Sequence, residues 1–65
     1  MTPGSRWKHY KGNVYEVICE ARSAETLEAF IIYRGDADGK TWVRSLWEWH
    51  QEVLPGVRRF TEITE

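Results

Sequence analysis

The chain has 65 residues and carries nine Lys or Arg against ten Asp or Glu, for a net charge of −1. That length holds one domain, residues 1–65, and buries only about 60% of its unfolded surface, so four Trp, three Tyr and two Phe must supply much of the core. The near-neutral charge counts against a nucleic-acid binder that relies on bulk charge. A lone Cys19 excludes an internal disulfide, and Cys19, His9 and His50 are too few for a zinc site.

Turn signals at short intervals predict an all-β meander. A first strand is expected over Arg6–Tyr10. Gly12-Asn13 then predicts a tight hairpin turn with glycine at the first central position. Val14–Ala21 is β-branched and aromatic and predicts a second strand, with Tyr15, Val17 and Cys19 sharing one face and Cys19 a small buried residue. Ser23-Ala24-Glu25 predicts the next turn. Leu27–Arg34 follows as a third strand, Leu27, Ala29, Ile31 and Tyr33 alternating with Glu28, Phe30, Ile32 and Arg34.

Asp36-Ala37-Asp38-Gly39 predicts a turn whose aspartates bond their own backbone. A short fourth strand, Thr41–Arg44, has Val43 as its natural core residue. Ser45 with Glu48 three residues on reads as a capping box opening a helix from Leu46 to about Glu52. Leu46, Trp49 and Val53 would share its inner face, and Trp47 would point elsewhere. Pro55-Gly56 predicts a turn, and Arg58–Thr64 a closing strand with Phe60 and Ile63 as its apolar residues. Five strands with one short helix or 3-10 turn before the last describe a mostly β, SH3-like barrel.

His9-Tyr10-Lys11-Gly12, Tyr15-x-Val17, Ala21-Arg22, Glu25-Thr26, Tyr33-Arg34 and Trp42-Val43-Arg44 together resemble, in order and spacing, the small bacterial domain of unknown function 1653 family. The resemblance runs from about Pro3 to Ile63. It implies an SH3-type barrel in a stand-alone bacterial protein and supplies no reaction. Ser23-Ala24 stands where the family tends to have His-Ser, and Ser45 where it tends to have proline. The second exchange preserves a helix start. The first leaves only His9 for any metal or acid–base proposal resting on two family histidines.

The candidate ligand or partner surface is His9, Tyr10, Lys11, Glu25, Thr26, Trp42, Arg44 and Trp47. Around His9, the bland expectation is that Tyr10 packs in the core while His9 and Lys11 flank the turn. Glu25-Thr26 either anchors a ligand or hydrogen-bonds its own loop. Trp42 and Arg44 share one side of their strand, where an arginine can stack on a tryptophan. Trp47 fits a partner groove, a dimer contact, or packing on Pro55.

The leading expectation is a non-catalytic binding module that takes a protein or peptide on an aromatic and basic patch. Single-stranded nucleic acid, held by Arg6, Lys8, Lys11, Arg58 and Arg59 with stacking aromatics, is the alternative. A small enzyme using His9 with Glu25, or Glu25 with Arg44, ranks last. A homodimer through Trp47 or a free strand edge is compatible with the pattern. No cofactor, metal or catalytic residue is expected. No signal peptide or membrane segment is read, and one unpaired cysteine points to the cytoplasm.

Overall fold

The computed structural model describes residues 1–64. Four successive antiparallel strands, β1 (Arg6–His9), β2 (Val14–Arg22), β3 (Ala29–Gly35) and β4 (Thr41–Ser45), lead into a single helical turn, α1 (Leu46–Trp49). Three short strands follow: β5 (Glu52–Leu54), β6 (Val57–Arg58) and β7 (Phe60–Glu62). β7 returns to pair with β1, giving a five-stranded sheet of order β4-β3-β2-β1-β7, while β5 and β6 form a separate hairpin. β4 and β7 are the two edges of that sheet, and no pairing closes one onto the other among the described residues. The fold is mostly β with one short helix.

The expected closing strand is therefore two strands. Pro55-Gly56 sits between β5 and β6, with Leu54 paired to Val57 and Gly56 at φ 76°. Proline followed by a residue at positive φ is the pattern of a type II turn. The backbone then crosses at Arg59, whose N–H donates to the Gln51 carbonyl, and Phe60 enters the main sheet opposite His9.

Local chemistry explains the other departures. The first hairpin turn is centred on Tyr10-Lys11, because the Gly12 N–H donates to the His9 carbonyl. Gly12 takes the positive-φ place, 107°, after that turn, so glycine is required one step later than a two-residue loop would demand. Within β2, Val17 pairs with Tyr33 and Cys19 with Ile32, so Ile18 is the extra residue of a β-bulge. The bulge reverses the alternation. Cys19 is exposed rather than buried with Tyr15 and Val17.

Leu27 is not a strand residue. It stands at φ 62° in the β2–β3 loop, exposed, with its N–H donating to the Ser23 carbonyl. Ser23 Oγ accepts the N–H groups of Glu25 and Thr26, both at 3.3 Å, so one hydroxyl organises the whole loop. The Asp36–Gly39 turn forms, but only Asp38 bonds the local backbone, because the Asp36 carboxylate pairs with Arg6. Asp38 Oδ1 accepts the Lys40 N–H at 2.9 Å, and the Gly39 N–H donates to the Gly35 carbonyl.

The core lies on the inner face of the sheet under α1 and consists of Val17, Ile31, Tyr33, Trp49 and Phe60. Trp49 stacks on Phe60 with ring centroids 3.8 Å apart and planes at 9°. Tyr33 meets both rings edge-on, and Trp7 and Tyr15 close the cluster from β1 and β2. Ser45 sets this geometry. Its Oγ accepts the Glu48 N–H at 3.1 Å, starting α1 so that Trp49 turns inward. The reciprocal half of the capping box is not made, because the Glu48 carboxylate pairs with Arg44 instead. The helix ends at Trp49, and Val53 belongs to β5 rather than to a helix face.

Candidate functional site

Of the predicted surface residues, three lie at one end of the β2–β3 hairpin and three, Trp47 included, at the other, with Trp42 and Arg44 on β4 between them. His9, Tyr10 and Lys11 sit at the end where β2 begins, where Tyr15 pairs with Gly35. Glu25 and Thr26 occupy the loop at the other end, beyond the Arg22–Ala29 pair. Thr26 Oγ1 accepts the Glu28 N–H at 3.2 Å, so this hydroxyl holds its loop. The sheet thus separates His9 from Glu25, and the catalytic pair those two residues would make is not assembled. No group of three potential metal ligands gathers among the described residues.

At the first end, Tyr10 and His9 exchange their expected places. Tyr10 is 44% exposed, whereas His9, the residue paired with Phe60, is half-buried with its ring 5.1 Å from that of Phe60. His9 Nδ1 accepts the Lys11 N–H at 3.2 Å, so the neutral ring carries its proton on Nε2. Its pKa lies below the ordinary imidazole value, through burial first and then the nearby charges of Arg44, Arg59 and Lys11. Behind His9, a cleft of about 290 Å³ runs between β1 and the β5–β6 hairpin, lined by Lys8, His9, Tyr10, Gly56, Val57, Arg58 and Thr61.

At the second end, Trp47 stands 71% exposed on the rim of an apolar groove of about 520 Å³. Ala29 of β3, Leu46 and Trp47 of α1, and Glu28, His50 and Gln51 line it. The groove adjoins β4, whose far edge has no strand partner among the described residues. Trp42 and Arg44 share the inner face of β4, paired with Tyr33 and Ile31. Arg44 does not stack on Trp42. It donates from Nε to the Tyr33 hydroxyl at 3.3 Å, lies 5.9 Å from the Phe60 ring and pairs with Glu48. Trp42 is left 45% exposed at the sheet edge. Val43 is 61% exposed beside Ile32 on the outer face, so it is not the core residue of its strand.

The sequence did not mark Leu46, His50 and Gln51 as groove residues. Their only signal was the helix start at Ser45, which places Leu46 and His50 one turn apart. The sequence set Lys8 and Arg58 together only as cations of a nucleic-acid surface and left Thr61 out, because the cleft they share depends on β7 returning to β1. Of the basic residues grouped for nucleic acid, Arg6 pairs instead with Asp36.

The family model described as "Protein of unknown function (DUF1653)" matches residues 5–62. No curated protein and no solved structure matches the chain.

Proposed function

The chain belongs to the DUF1653 family, and we propose that it is a non-catalytic binding module taking an extended segment of a partner protein along β4, with an apolar side chain anchored beside Trp47. The observation that carries this reading is Trp47 itself, 71% exposed over an apolar groove at the end of β4, an edge strand whose outer side has no strand partner among the described residues. A free edge offers backbone donors and acceptors to an added strand, and pockets beside it select side chains. Trp42 and Val43 extend the apolar surface along β4, with Arg44 as its basic residue. Glu28 on the groove wall and Glu25 in the same loop favour a lysine or arginine next to the anchor. An SH3-like plan is the finer reading of the fold, supported by the strand order and by the short helix before the returning strand. A stand-alone bacterial, cytoplasmic setting is proposed from the family resemblance and the single cysteine. Among the described residues no helix is long and apolar enough to cross a membrane.

The test is selection from a displayed random-peptide library on the wild type and on Trp47→Ala. Peptides with a large apolar residue flanked by Lys or Arg should enrich on the wild type and lose about 30-fold in affinity on the variant, the range of an interface hot spot. Equal enrichment on both proteins would remove Trp47 from the site.

A further inference from the structure

The cleft behind His9 differs from the groove in chemistry as well as position. Lys8 and Arg58 face it from β1 and β6, Thr61 adds a hydroxyl from β7, and none of its lining residues is acidic. Among the described residues the ion pairs are Met1–Glu20, Arg6–Asp36, Arg34–Glu16 and Arg44–Glu48, so neither Lys8 nor Arg58 is neutralised by one. One carboxylate touches the cleft wall from outside its lining: that of Glu52, the register partner of Arg58, whose Oε2 accepts the N–H of Gly56 at 3.1 Å. Lys11 adds a further cation, its Nζ 5.8 Å from the Tyr10 ring centre.

We propose that this cleft binds the phosphate of a nucleotide, with Lys8, Arg58 and Thr61 holding the phosphate oxygens and the exposed Tyr10 ring meeting the base. Two cations and a hydroxyl among lining residues of which none is acidic suit a phosphate, which accepts several charge-assisted bonds at once. At about 290 Å³ the cleft lies just under the usual range of ligand pockets, a size that favours a single nucleotide unit over a larger ligand. A half-exposed tyrosine beside such a site is the element that stacks on bases in single-strand binders. The same chemistry arises from a free nucleotide or from one unit of a single strand.

His9 supplies a reporter inside the cleft. Lys11 from the turn, Arg44 from β4 and Arg59 before β7 all act on it, while Glu48, the nearest carboxylate to Arg44, is engaged by that arginine. A bound phosphate offsets those cations and raises the His9 pKa.

The experiment is an NMR titration of the ¹⁵N-labelled wild type with adenosine monophosphate, inorganic phosphate and an eight-residue oligothymidylate, each against sodium chloride of equal ionic strength. The amides of Lys8–Lys11, Gly56–Arg58 and Thr61 should shift with the nucleotide, and the His9 pKa should rise. Inorganic phosphate should give the same shifts more weakly and without those of Tyr10. The double variant Lys8→Gln/Arg58→Gln should bind at least tenfold more weakly while its spectrum elsewhere is unchanged. Tighter, salt-sensitive binding of the oligonucleotide would identify a strand as the source, and affinity equal to the mononucleotide would identify a free nucleotide. If all three probes leave these amides and the His9 pKa where chloride puts them, the proposal is overturned. The wild-type arm decides this even if the double variant fails to fold.

Discussion

Trp47 and Trp49 stand two residues apart on one helical turn and do opposite things. Trp49 is 1% exposed and stacks on Phe60 at the centre of the core, while Trp47 is 71% exposed on the rim of a groove. Two residues along a helix is roughly 200° of rotation, so a sequence that buries one must expose the other. The aromatic cluster around Trp49 does the work of a core in a chain too short to build a large one. The region around Trp47 contributes little to that core and leaves apolar surface in water. The pair separates what holds the domain together from what it offers to a partner, and substitutions can test that separation directly.

The largest effect is expected at Trp49. Trp49→Ala should cost about 3–5 kcal/mol, as other large-to-small core substitutions do. A 65-residue domain has a total stability of roughly 3–10 kcal/mol. Loss of the cooperative urea transition is therefore the predicted result, and a variant that unfolds like the wild type would dissolve the comparison. Trp49→Phe should be far milder. It keeps a ring on Phe60 and removes the buried indole N–H, which has no partner among the described residues.

Trp47→Ala is expected to change unfolding stability by less than about 0.5 kcal/mol, the range for surface positions. The same variant should lose the peptide affinity described above, and a large stability loss would instead assign Trp47 to the core. Ser45→Ala, which removes the acceptor for the Glu48 N–H, should cost about 1 kcal/mol in urea unfolding. No loss would mean that the Trp49–Phe60 stack alone fixes the direction of the turn.

The smallest effect concerns His9, at the edge of the Phe60 cluster. Its folded pKa is lowered, so the unfolded chain binds the proton more readily. The stabilising contribution is full above the unfolded pKa of about 6.5 and is lost as pH falls through the window beneath it. Thermal melts from pH 7.5 to 5 should show a decline that His9→Gln flattens. An unchanged slope in the variant would place the acid sensitivity elsewhere.

Much of this contrast was legible before the structure. The Ser45 start signal, with Leu46 and Trp49 facing in and Trp47 out, follows from helical spacing and needs no tertiary contact. The turns at Asp36–Gly39 and Pro55-Gly56 were equally local. What the sequence did not disclose depends on distant pairing. The Ile18 bulge, which brings Cys19 to the surface, exists only against β3. Val43 looks like a core residue by type, yet the register puts it on the outer face beside Ile32 and leaves the inner face to Trp42 and Arg44. The cleft of Lys8, Arg58 and Thr61 appears only once β7 has returned to β1. The length of the β2–β3 hairpin, which sequence order alone does not convey, separates His9, Tyr10 and Lys11 from Glu25, Thr26 and Trp47 and leaves Trp42 and Arg44 between them.

The central claim is that the partner surface lies at the Trp47 end. Its most direct test is a map of amide shifts as a library-selected peptide is titrated into the ¹⁵N-labelled domain. Shifts should concentrate on Ala29, Thr41–Ser45 and Leu46–Gln51, with the Trp47 indole signal moving most and Lys8–Lys11 still. Shifts confined to Lys8–Lys11 and Arg58, with Trp47 unmoved, would contradict it.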